Sequence, residues 1–207
     1  MNAAGFRPHQ AKLGRTVSHV ALHEQLTVPA VPRRLQQDWQ QEVTRHLQLQ
    51  AGDVEELPLA RARARWPDLR QCIRAAVDWT NSLRLDHLLT QSDMALMACR
   101  GAVLHDDAEQ YSNCAFCNLF LSEDRGLDLH FASTGQRIAL QRGTVVIFDT
   151  CQAHEVMVRG SDHFSVSDFP DALDLTQVFL TWELPIDHVQ LAQLLGIQFE
   201  RPSMAAR

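Results

Sequence analysis

Lysine is nearly missing from this 207-residue chain: of 19 basic residues only Lys12 is a lysine, and the rest are arginines. Any anion bound beyond the N-terminal region must therefore be met by arginine, histidine or neutral donors. No apolar run approaches the length of a membrane-spanning helix. The first 25 residues carry Arg7, His9, Lys12 and Arg15 without an apolar core, which excludes the pattern of a secretory leader. There is no internal repeat and no low-complexity segment. A second cysteine pair is missing too. Cys114 and Cys117 form one C-x-x-C, whereas a four-ligand structural zinc site is usually built from two such pairs. In a strand these two thiols would point to opposite faces, so buried, unreactive thiols are the simpler account. Basic residues number 19 against 25 acidic ones, for a formal charge of −6, which gives no electrostatic reason to expect a nucleic-acid partner. An odd total of five cysteines suits reduced thiols and a cytoplasmic setting.

What is present is a globular composition, 45% apolar, and two patterns in succession. Residues 1–93 read as an N-terminal extension with helices. Val17 to Val28 suits a short extended segment, closed by Pro29 and Pro32. Leu35, Trp39, Val43 and Leu47 recur every four residues and predict a helix over 33–49. Leu59–Trp66, with Arg61, Arg63 and Arg65, reads as a short helix with a solvated face. Leu69, Cys72, Ile73, Ala76, Val77 and Thr80 predict another helix over 68–83. From residue 94 to 207 short apolar runs alternate with turn residues. Strands are expected at 94–104, 115–121, 127–132, 137–140, 144–149, 154–158 and 177–184, then a short helix at 189–195 stopped by Gly196. Closely spaced strands of this kind imply an antiparallel sandwich or barrel with the helices packed outside.

Three residues carry the chemistry. His105 and Asp107 are two apart, so both can face one side where a strand ends, while Asp106 faces away and can hold the turn. His154 opens the strand His154-Glu155-Val156-Met157-Val158, just after the strand Thr144–Asp149. Two imidazoles and one carboxylate leave one face of an octahedral ion open, the arrangement that suits non-haem Fe(II). The same residues also fit a turn with an ion pair and a polar strand edge.

The stretch Leu104-His105-Asp106-Asp107, followed by Arg142-Gly143-Thr144-Val145-Val146-Ile147-Phe148-Asp149 and His154-Glu155-Val156, resembles the Fe(II)- and 2-oxoglutarate-dependent dioxygenases over about residues 94–184. The resemblance implies a double-stranded β-helix, a jelly-roll or cupin-like barrel. It implies His105, Asp107 and His154 as iron ligands, 2-oxoglutarate as co-substrate, and O₂-dependent hydroxylation of a small molecule or side chain. In that family a basic residue, usually an arginine on the last barrel strand, pairs with the far carboxylate of 2-oxoglutarate; a planar guanidinium suits a two-point contact. Here the strand Gln177–Leu184 has no arginine. Arg159 is the first candidate for the role, with Arg100 and His163 behind it, although strand parity turns Arg159 away from His154. Tyr111 and Asn118, with Asn113, are candidates for hydrogen bonds to the co-substrate. A barrel that binds metal without the keto acid, as a sensor, binding module or other iron enzyme, is the alternative. The connection over 160–175 carries Asp162, Asp168, Asp171 and Asp174 and reads either as a lid or as a solvated insertion.

Overall fold

The computed structural model describes residues 14–200. The elements follow one another as β1 (Ala21–Gln25), α1 (Arg33–Gln41) running into a π-helical stretch (Glu42–Leu47), β2 (Val54–Leu57), α2 (Leu59–Arg65), α3 (Leu69–Ser82), α4 (Leu88–Gln91), β3 (Met94–Cys99), β4 (Ala102–His105), α5 (Ala108–Tyr111), β5 (Cys114–Phe120), β6 (Leu127–Phe131), β7 (Gln136–Leu140), β8 (Thr144–Asp149), β9 (His154–Val158), β10 (Gln177–Pro185) and α6 (Val189–Leu194). Every strand pair is antiparallel. One sheet has the order β1-β8-β5-β10-β3-β2 and the other β4-β9-β6-β7. From β3 to β10 the chain passes back and forth between the two sheets, keeping β6 and β7 together as a hairpin. That path is the double-stranded β-helix that the family resemblance implies, and it falls within the antiparallel sandwich or barrel expected from the strand pattern. β1 and β2 extend the larger sheet at its two edges.

Alternation explains how one sheet serves two cores. On β10, Val178, Leu180, Trp182 and Leu184 pack in one apolar cluster with helix residues Leu35, Trp39, Leu69, Cys72 and Ala76. Phe179 faces the other way and joins Phe120, Leu129, Phe131 and Phe148 between the sheets. β8 is buried along its whole length because Val145 and Ile147 face the helices while Val146 and Phe148 face the barrel. A strand covered on both faces reads as a continuous apolar run rather than an alternating one. The helices that cover the larger sheet follow their predicted faces: Leu35, Trp39 and Val43 are buried on α1 and its π-helical continuation, and Leu69, Cys72, Ala76 and Thr80 on α3.

The run expected as one strand over 94–104 is two. The chain leaves β3 at Arg100-Gly101 and enters the other sheet as β4, with Gly101 at φ +72°. A Cβ there would stand 2.5 Å from Phe169 Cζ. The short strand β2 and the single-turn helices α4 and α5 were not expected; each is four residues long, too short for periodicity to register. All five cysteines are free thiols, and Cys117 is buried in the helix-side core.

Gly143 fixes the entry to β8. It lies at φ +90°, its carbonyl accepts from Leu26 N–H at 2.8 Å, and a Cβ would come within 2.0 Å of Leu26 O. Gly143→Ala should therefore cost on the order of 1–3 kcal/mol or more, from the strained backbone and the displaced β1 edge together. Urea unfolding of the variant is expected to show a lower midpoint at unchanged slope; an unaltered midpoint would contradict this placement.

Candidate metal centre

Strand register brings the two histidines together. β4 pairs with β9 so that His105 stands directly across from His154. Their rings lie 4.4 Å apart between centroids. Asp107 follows at the N-terminal edge of α5. Its N–H donates to Thr150 O at 2.8 Å, and its carbonyl accepts from Tyr111 N–H at 2.8 Å. Asp106 turns away, as its parity requires, and its Oδ1 accepts from Ala108 N–H. The carboxylate of Asp107 then reaches back to both rings: Oδ1 is 3.7 Å from His105 Nε2, and Oδ2 is 3.7 Å from His154 Nε2. One donor atom from each of the three residues lies within 4.8 Å of the others.

The other ring nitrogens are already engaged. His105 Nδ1 lies 2.7 Å from Val103 O, and His154 Nδ1 lies 2.9 Å from Gln152 O. A carbonyl can only accept, so each Nδ1 carries a proton, and in the neutral form of either ring it is Nε2 that presents a lone pair toward Asp107. This is how metal-bound imidazoles are normally oriented. His154 is deeply buried and packs against Phe148 and Phe131. Burial, then the neighbouring His105, pushes its pKa down to about 3, against the hydrogen bond to Gln152, which raises it. Burial pushes the Asp107 carboxyl above its ordinary range; His105 opposes this and Asp106 adds to it. A divalent cation at this point would meet two neutral imidazoles and offset the buried carboxylate, so the donor set fits a metal.

A cavity of about 330 Å³ opens beneath the three residues, between the two sheets. Tyr111 and Asn118 are among the residues that line it. Arg159 does not. Its guanidinium pairs with Asp128 at 2.8 Å and with Asp124 at 3.0 Å, outside the cavity. Arg100 donates to Phe169 O at 2.9 Å and pairs with Asp171, and neither it nor His163 lines the cavity. The acidic connection over 160–175 contributes no lining residue either. It is fastened at several points: Phe164 stacks on Phe169, Ser161 Oγ bonds Asp168, and Arg125 pairs with Asp174. Asn113 supports structure rather than the cavity, with its carbonyl accepting from Ile186 N–H.

Sequence reasoning missed what holds the rim. Arg15 grips Asp149 with two bonds, Nη1 to Oδ2 at 2.8 Å and Nη2 to Oδ1 at 2.9 Å, and the side chains are 2% and 0% exposed. Asp149 also accepts from Ser18 N–H and Cys151 N–H, and Arg15 bonds Ser112 O. The pair ties the N-terminal segment to the link between β8 and His154. A basic residue followed at long range by an aspartate leaves no local signal.

Two outcomes follow from this geometry. Arg15→Ala should destabilise the fold by about 3–5 kcal/mol, because it strands a buried carboxylate; a loss under about 1 kcal/mol in chemical denaturation would contradict the pairing, being the size of an exposed one. In the metal-free protein His154 should remain a neutral, Nδ1-protonated imidazole through mildly acid pH. The unfolded chain takes up that proton near 6.5 and the folded chain only near 3, so the native state loses stability as pH falls through this window. Imidazole ¹⁵N shifts would check it, and an ordinary midpoint near 6.5 for His154 would refute the burial argument.

No protein-family model matches the chain, and no curated protein matches it. Among solved structures the chain is similar to a Pseudomonas putida prolyl-4-hydroxylase, at 16% identity and TM-score 0.45, over 80% of this chain and 92% of that one. It is similar to a viral collagen prolyl hydroxylase from Paramecium Bursaria Chlorella virus-1, described as a 2OG complex, at 11% identity and TM-score 0.43, over 78% and 94%. A further similar structure is SnoN, a non-heme alpha ketoglutarate dependent epimerase from nogalamycin biosynthesis, at 10% identity and TM-score 0.39, over 89% and 82%.

Proposed function

We propose that this chain is a non-haem Fe(II) oxygenase that uses 2-oxoglutarate and O₂ to hydroxylate a small molecule or side chain, with His105, Asp107 and His154 as the iron ligands. The observation that carries the reading is the convergence of two Nε2 lone pairs and one carboxylate over a cavity. Such a set holds an ion by one face and leaves the opposite positions for exogenous ligands. Bound iron would supply O₂ activation coupled to oxidative decarboxylation of the keto acid. The chain's own residues do the rest. The carbonyls of Val103 and Gln152 fix both imidazole tautomers. Phe148 and Phe131 keep water from one side of His154. Burial first, then the carboxylates of Glu183 and Asp107, hold the Tyr111 phenol above its ordinary pKa, so it stays a hydroxyl able to donate. Gln110, Tyr111, Asn118 and Thr181 are neutral polar residues lining the cavity that a keto acid would enter.

One observation favours a second reading, a metal-binding barrel that does not use 2-oxoglutarate. Neither arginine nor lysine lines the cavity among the described residues, so a second carboxylate would have no charged partner there. Iron binding separates both readings from a barrel without metal, and the keto acid separates them from each other. Asp107→Ala should keep the fold yet lose at least about a hundredfold in Fe(II) affinity, since even the outer partners of metal ligands contribute ten- to a hundredfold. Anaerobic Fe(II) with 2-oxoglutarate should give the weak visible charge-transfer band of a chelated keto acid in the wild type and not in the variant. Iron binding without the band at saturating keto acid would support the second reading; full iron binding by Asp107→Ala would overturn the ligand set.

A further inference from the structure

Polarity in the cavity falls with distance from the metal centre. On the larger sheet β5 and β10 pair so that Phe116 stands across from Glu183, Asn118 from Thr181 and Phe120 from Phe179, and all six residues line the cavity. Successive pairs are two residues apart, about 7 Å along a strand. Phe116 packs edge-on against Tyr111 and Phe148, and Phe148 against His154, so the Phe116–Glu183 pair marks the metal end. At the far end the rings of Phe120 and Phe179 lie 5.1 Å apart and share the barrel core with Leu129. The smaller sheet is graded in the same way. His105, His154 and Phe131 stand abreast, and the next row in the same direction is Ala102, Val156 and Leu129, all of which line the cavity.

A keto acid held at the metal by its carboxylate and adjoining carbonyl has to place the rest of its chain in this cavity. For 2-oxoglutarate that chain ends in a second carboxylate. Among the described residues no arginine or lysine lines the cavity, and the positions of β10 that do are Phe179, Thr181 and Glu183. Thr181 and Tyr111 can offer hydroxyls, which satisfy hydrogen bonds without balancing a charge. An ionised carboxylate taken out of water without a counter-charge is strongly disfavoured. Glu183 adds like-charge repulsion, which is larger in a shielded cavity than in water. A hydrocarbon chain in the same place meets neither obstacle, and it removes apolar area from water against Leu129, Val156 and the two phenylalanines. At about 330 Å³ the cavity is at the small end of ligand pockets, which suits one short chain.

On the reading of the site as a keto-acid-dependent iron centre, we infer that its preferred keto acid is a 2-oxo monocarboxylic acid with an apolar chain, seated against Leu129, Val156, Phe120 and Phe179, and that 2-oxoglutarate is the weaker ligand. The iron ligands and the need for a keto acid stay as in the first reading above. What changes is the end of the chain remote from the metal, the point on which the second reading turns.

The test titrates the full chain, loaded anaerobically with Fe(II), with three keto acids that share the metal-binding end. These are 2-oxoglutarate, 2-oxopentanoate, and 5-methyl-2-oxohexanoate, in which an isopropyl group replaces the far carboxylate. Affinity is read from the visible charge-transfer band and, independently, from calorimetry. 5-Methyl-2-oxohexanoate is expected to bind at least about tenfold more tightly than 2-oxoglutarate, a difference of about 1.4 kcal/mol, with 2-oxopentanoate also ahead of 2-oxoglutarate. Glu183→Gln should tighten 2-oxoglutarate several-fold and leave both monoacids unchanged. Thr181→Arg, which supplies a guanidinium on the last barrel strand, should reverse the order; the wild-type order decides whether or not that variant folds. 2-Oxoglutarate binding as tightly as 5-methyl-2-oxohexanoate, or more tightly, would overturn the inference and leave the 2-oxoglutarate oxygenase standing. Iron binding with no band from any of the three would overturn the keto-acid reading, and the preference with it.

Discussion

The cross-strand pairing of His105 with His154 is the constraint on which the site depends. Two imidazoles placed opposite each other on neighbouring antiparallel strands have no freedom to separate unless the ladder breaks. Each is then locked by a hydrogen bond from Nδ1 to the carbonyl two residues earlier in the chain, Val103 on β4 for one and Gln152 in the link before β9 for the other. The same local device used twice leaves both Nε2 atoms turned to a single point, and Asp107 closes it from the turn that follows β4. Neutral imidazoles at this spacing tolerate each other; charged ones would not. The depressed basicity of His154 and the raised pKa of Asp107 are consequences of assembling these groups away from water.

The barrel serves that constraint by keeping two cores apart. Odd and even residues of β5, β8 and β10 are divided between the helix-side core and the space between the sheets, so the larger sheet is stiffened from outside without filling the cavity. The buried Arg15–Asp149 pair does a related job at the rim, anchoring the segment that delivers His154. Such a pair gives little net stability compared with apolar residues of similar size, but breaking it is expensive. It acts as a specific fastener between the N-terminal segment and the end of the barrel that carries His105, Asp107 and His154.

Much of this was legible in the residue order. Short apolar runs between turn residues located the barrel strands from β5 to β10 to within a residue or two, and helical spacing located the buried faces of α1 and α3. Parity alone put His105 and Asp107 on one side and turned Arg159 away from His154. What could not be read were contacts set by tertiary register. Arg159 is captured by Asp128 and Asp124, which meet it only because β6 pairs with β9. Glu56 reaches the cavity only because a four-residue strand adds itself to the edge of the larger sheet. The break between β3 and β4 is hidden in an apolar run whose only mark is Gly101, and a lone glycine in a strand pattern is equally a sign of a bulge.

The central claim is one of geometry: three side chains brought together by the barrel share one cation. An anaerobic crystal structure of the protein loaded with Fe(II) tests it most directly. The ion is expected at bonding distance, about 2.0–2.2 Å, from His105 Nε2, His154 Nε2 and a carboxylate oxygen of Asp107, with its remaining positions facing the cavity. An ion bound elsewhere, or a site left empty at saturating Fe(II), would contradict the account.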